Sequence, residues 1–115
     1  MYTIRRVYKA KSGQARNAAL LLREIADIYT ASGQRSKCLV YYNGGTLPCP
    51  KDELNRVYMH WSTEIIDSPY RPDNDFPSMG ETYKKFNELL DDSDGPKTWV
   101  EFWEEVKSQI VIEII

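Results

Sequence analysis

The fold class the sequence predicts is α+β: one antiparallel sheet of four strands with helices packed on one of its faces. Three observations predict it. Residues 2–10 alternate as a strand does, residues 15–29 carry apolar side chains at helical steps, and the later β-rich runs are set apart by glycine and proline breaks. With 115 residues and 42% hydrophobic content, the chain has the size of one ordinary domain, and 1–115 reads as a single unit.

In YTIRRVYKA, Tyr2, Ile4, Arg6 and Tyr8 fall on one face of a first strand, and Thr3, Arg5, Val7 and Lys9 on the other. Ser12-Gly13-Gln14 breaks it. Ala15, Ala18, Ala19, Leu22, Ile25, Ala26 and Tyr29 then recur at three- and four-residue steps, an amphipathic helix that Gly33 should close. Residues 37–43 form a second strand ended by Gly44-Gly45, and residues 55–63 a third. The run 68–77, SPYRPDNDFP, holds three prolines and is either a lid or a linker. A second helix follows from about Pro77 to Leu90, with Met79, Tyr83, Phe86, Leu89 and Leu90 on its apolar side. Pro96 sits where a helix starts, and Trp99, Phe102, Trp103 and Val106 mark a short third helix. SQIVIEII, residues 108–115, alternates as a fourth strand. The order β-α-β-β-α-(α)-β is the split pattern of a ferredoxin-like sandwich, and right-handed crossovers put strands one and three at its centre.

Net charge is −2, but residues 1–57 carry +6 and residues 58–115 carry −8, so the two halves are expected to pack against each other and compensate. So acidic a half argues against a nucleic-acid protein, and the aromatic pattern of RNA-binding sheets is absent. Cys38 and Cys49 fit neither a disulfide framework nor a metal spacing. No apolar run approaches the roughly 18–20 residues that span a bilayer, and a signal-peptide core is lacking. A cytoplasmic protein with no membrane, metal or cofactor partner is the expectation.

Helices can cover only one sheet face, for which Ile4, Val40, Met59, Trp61, Ile110, Ile112 and Ile114 are the candidates. The opposite face keeps Val7, Leu39, Tyr41, Tyr58, Val111 and Ile115 among Arg5, His60 and Glu113, too apolar to leave in water. Two copies packed sheet to sheet would cover it, so a homodimer is expected.

With MYTIRRVYKAKSGQARNAALLLREI, a third-strand tryptophan in VYMHWST, an aromatic-bearing helix and WVEFWEEV running into IVIEII, nearly the whole chain resembles the dimeric α/β barrel superfamily. That superfamily includes antibiotic-biosynthesis monooxygenase-like, haem-degrading and NIPSNAP-like proteins. The resemblance implies a homodimer whose sheets close a barrel, with a pocket between sheet and helices in each subunit. Trp61 matches the tryptophan that contacts porphyrin in haem-degrading members, but those also use a helix histidine about ten residues later as iron ligand, where Arg71 stands here. Haem is therefore not implied.

Two functions remain. One is a homodimeric small-molecule-binding barrel, as a cofactor-independent monooxygenase-like or isomerase-like enzyme acting on an aromatic or enolic metabolite. The other is a non-catalytic ligand-binding or interaction module. In the first, Arg6, Trp61, Tyr8, Tyr83 and Met59 would bind substrate, and His60 or Tyr42 would move a proton. His60 and Trp61 are neighbours in a strand and so must point to opposite faces: Trp61 toward the pocket or core, His60 toward the dimer seam. Arg6 interrupts an apolar face, and a guanidinium there needs either an acidic side chain or an anionic or enolic ligand. Tyr29 is a further tyrosine within reach of the same cavity.

Overall fold

The computed structural model describes residues 1–64, 77 and 79–106. These form an α+β domain with one antiparallel sheet and two helices: β1 (Tyr2–Lys9), α1 (Ala15–Ala31), β2 (Leu39–Tyr42), β3 (Arg56–Thr63), α2 (Gly80–Glu88) and β4 (Thr98–Glu104). The strands lie in the order β2-β3-β1-β4, a sequence consistent with a ferredoxin-like arrangement, with β1 and β3 at the centre as the crossover rule requires. A single 3₁₀ turn, Lys51–Glu53, sits in the connection between β2 and β3.

Small side chains set the spacing of the helix layer. The buried stripe of α1 is Ala15, Ala18, Ala19, Leu22, Ile25 and Ala26, so its backbone can lie close over β2 and β3 while Leu22 and Ile25 fill the gaps. Ser32 caps the helix and Gly33, at φ 79°, takes the left-handed conformation that turns the chain toward β2. The core joins that stripe to Tyr8, Cys38, Val57, Met59, Phe86 and Leu90. Burying side chains such as Leu22 or Phe86 contributes about 1.5–3 kcal/mol each. Asn55, at φ 65°, ends the β2–β3 connection. Its N–H donates to the Asn43 carbonyl and its own carbonyl accepts from Ala10, both at 2.9 Å, which ties the loop to the end of β1.

Residues 96–106 correct the sequence expectation of a third helix. They hold β4, which pairs with β1 from Tyr2↔Glu104 to Tyr8↔Thr98. The helical reading rested on steps of three and four between Trp99, Phe102, Trp103 and Val106. A period of two fits as well, with Trp99, Glu101 and Trp103 on one face and Thr98, Val100 and Phe102 on the other, and the aromatic and β-branched content favours the strand. β4 thus takes the place beside β1 that was expected of residues 108–115, which lie outside the described residues, as do most of the 68–77 segment and Arg71.

Candidate functional site

Register divides the chemistry between two faces. Ile4↔Trp61 and Arg6↔Met59 lie on the helix side with Val40, while Arg5↔His60 and Val7↔Tyr58 lie on the outer side with Leu39 and Tyr41. Trp61 and His60 are accordingly separated by the sheet, as strand geometry demands. His60 has the Tyr41 hydroxyl 3.4 Å from its Nδ1, and Tyr41 in turn stacks on Tyr58 at 5.1 Å. Tyr42 is on the helix side at the far end of β2, beside Gly44 and 43% exposed, so His60 and Tyr42 do not form a pair.

Arg6 and a second arginine dominate the helix side. Arg35, in the turn after α1, lies with its guanidinium carbon 3.8 Å from the Tyr29 ring centroid and 4.2 Å from that of Trp61, and its Nη1 reaches Met59 Sδ at 3.5 Å. Two aromatic rings therefore flank that cation. One face of Trp61 is given to Arg35, which makes the tryptophan a clamp for the cation. Arg6 projects beside Met59, with its guanidinium 5.8 Å from the Tyr8 ring and its buried Nε lacking a hydrogen-bond acceptor. Among the described residues neither Arg6 nor Arg35 has a carboxylate partner.

Electrostatics couple the members of this cluster. Burial pushes the Tyr8 phenol up to about 12 despite the downward pull of Arg6 and Arg35, so its hydroxyl is a donor throughout the neutral range. Burial also lowers Arg35, and the like charge of Arg6 adds to that, against the opposing influence of Tyr29, Tyr8 and Cys38. Tyr83, half-exposed on α2, acts on Tyr8 as well, and Phe86 closes the floor edge-on to Tyr8 at 4.9 Å. Five of the residues expected from sequence, Arg6, Tyr8, Met59, Trp61 and Tyr83, thus fall on one side of the sheet. Arg35 was missed. It lies in no periodic element, and only its position at the mouth of a β-α-β crossover could have drawn notice.

The outer face is built around an ion pair that joins the basic and acidic halves of the chain. Arg5 Nε donates to Glu101 Oε1 at 2.9 Å, and the indole N–H groups of Trp99 and Trp103 donate to the same carboxylate at 3.2 and 3.3 Å. The Arg5 guanidinium lies over the rings of Tyr58 and Trp103. Val7 is fully buried at the centre, yet Leu39, Tyr41 and Trp103 remain 58%, 39% and 56% exposed.

Burial alone would raise Glu101, but hydrogen bonds from Arg5 and the tryptophans outweigh it and hold the carboxyl below its ordinary value. A depressed folded-state pKa gives stability that is present above the unfolded value of about 4.3 and is lost as pH falls through the folded one. Glu101→Gln should therefore remove part of the fall in melting temperature below pH 5 and leave the profile above pH 6 parallel to that of the parent. Thermal melts from pH 3 to 7 check this, and superimposable acid limbs would show that the carboxylate is not coupled to folding.

Scanned against protein-family models the chain matches none, and no curated protein matches it. Among the described residues there is no helix long and apolar enough to cross a membrane and no group of three potential metal ligands.

Proposed function

We propose that the chain is a homodimeric α/β barrel protein that binds a small aromatic or enolic metabolite between its sheet and helices. The observation that carries this reading is the pair Arg6 and Arg35, two guanidinium groups beside Tyr8 and Trp61 without a carboxylate among the described residues. Buried polar groups without partners are costly, and guanidinium groups set among aromatic rings offer a ligand both charge and stacking surface. The dimer is supported by the outer face, whose aromatic surface is too extensive for a lone sheet in water. A sheet-on-sheet seam would enclose Leu39, Tyr41 and Trp103 around the Arg5–Glu101 pair.

Binding is the part of the function these residues favour. His60, the ordinary candidate for proton transfer near neutral pH, lies across the sheet from Arg6, and Tyr8 is held as a donor. A non-catalytic carrier or sensor therefore fits the cluster better than an acid–base enzyme. The test is a two-part solution measurement on the full chain. Light scattering should give twice the mass of 13.4 kDa at micromolar concentration, and phenol or salicylate should raise the melting temperature in proportion to the logarithm of its concentration. A monomer sinks the barrel, and flat melting curves with both compounds sink the ligand site.

A further inference from the structure

We infer that the helix-side site is selective for an aromatic carboxylate, gripped along the open edge of the Arg35 guanidinium and by Arg6. The inference rests on the ligand-binding reading above and deepens it by naming the chemical class of the ligand.

Geometry supplies the argument. The Tyr29 and Trp61 ring centroids lie 3.8 and 4.2 Å from the Arg35 guanidinium carbon, so aromatic surface already occupies much of its surroundings and its N–H donors are what it can offer a partner. One rim nitrogen reaches Met59 Sδ, a weak acceptor that does nothing to neutralise the charge. A planar fork of donors restrained between two rings matches a carboxylate, which accepts two parallel hydrogen bonds in the same plane. Rigidity also reduces the conformational entropy lost on binding.

Arg6 adds the second half of the grip. Its Nε is buried with no acceptor, although a guanidinium in that position ordinarily finds a carboxylate. Arg6 and Met59 are register partners, and Met59 touches Arg35, so the two cations lie near each other on the helix side of the sheet. Two like charges so placed repel each other until an anion lies between them. The ligand's apolar body has a matching surface: Val100 and Phe102 of β4 continue the helix face beyond Arg6 and Ile4, at 36% and 57% exposure, with Tyr83 half-exposed. A ring can lie there while its carboxylate meets the two arginines and the Tyr8 hydroxyl donates to it.

The test uses the full chain with ¹³C-methyl-labelled methionine, because the Met59 sulfur lies 3.5 Å from Arg35 Nη1 and its methyl reports on this cluster. Salicylate, phenol and inorganic phosphate are titrated in parallel. Salicylate should shift the Met59 signal with saturation, more tightly than phenol or phosphate, and less tightly as salt rises. Arg35→Gln and Arg6→Gln should each weaken salicylate about ten- to a hundredfold, the loss expected for a charged hydrogen-bonding group, and leave phenol nearly unchanged. Arg35→Lys keeps the charge but not the fork and should weaken salicylate as well; it is the control if the glutamine variants fold poorly. Equal affinity for phenol and salicylate would overturn the carboxylate assignment while leaving the ligand site intact. Phosphate binding as tight as salicylate would overturn the aromatic part, and no Met59 shift with any probe would remove both the assignment and the site.

Discussion

Phe86→Ala should lower the unfolding free energy by about 3–5 kcal/mol, the range for emptying a buried aromatic site. Phe86 is 1% exposed, the only fully buried side chain of α2, and meets Tyr8 edge to face at 4.9 Å. The cavity would open between the second helix and the central strand, where the surrounding Leu22, Met59 and Leu90 are themselves anchored and cannot collapse inward far. For a domain whose total stability is about 5–15 kcal/mol, that is a large share. Urea denaturation at fixed pH measures it through the midpoint with an unchanged slope. Phe86→Leu should cost less, near 1.5 kcal/mol at most, and keeps the comparison readable if the alanine variant unfolds. A loss below about 1 kcal/mol for the alanine variant would mean that α2 does not rest on this contact.

Trp103→Glu should weaken the proposed dimer by about 30- to 1000-fold, equivalent to losing a 2–4 kcal/mol hot spot. The indole is exposed in the single chain, lies over Arg5 and shares the Glu101 carboxylate. In a sheet-to-sheet seam it would be enclosed, and a glutamate there would place a second negative charge beside Glu101. The variant also loses the indole hydrogen bond to Glu101 and the contact with Arg5, so the stability of the lone subunit should fall as well, by about 1–2 kcal/mol. Sedimentation velocity over a hundredfold concentration range separates the two quantities. A variant that sediments like the parent at every concentration would place Trp103 outside any seam.

Periodicity made the first two-thirds of the chain legible. The alternation of Tyr2 to Lys9, the alanine-rich stripe of α1 and the alternation through VYMHWST fixed two strands and a helix to within one or two residues. From that register followed the separation of His60 from Trp61 and the exceptional status of Arg6. The end of the chain was ambiguous because WVEFW satisfies two periods at once, and the pairing with β1 that decides between them is non-local. Glu101 drew no notice for the same reason, although it accepts from Arg5, Trp99 and Trp103 together. Arg35 carries no local pattern at all. Its significance comes from Tyr29 and Trp61, six residues before it and twenty-six after, which converge only in the folded chain.

The two helices are unequally fastened: six buried side chains hold α1, whereas Phe86 alone is buried on α2. In hydrogen exchange such an imbalance appears as two tiers, with the amides of α2 opening at a fraction of the global cost while those of α1 and the central strands wait for complete unfolding. Tyr83 and Phe86 ride on the weaker tier, beside Tyr8. The side of the arginine cluster that α2 covers is thus its least protected, so exposing Tyr8 requires only a sub-global fluctuation of a nine-residue helix.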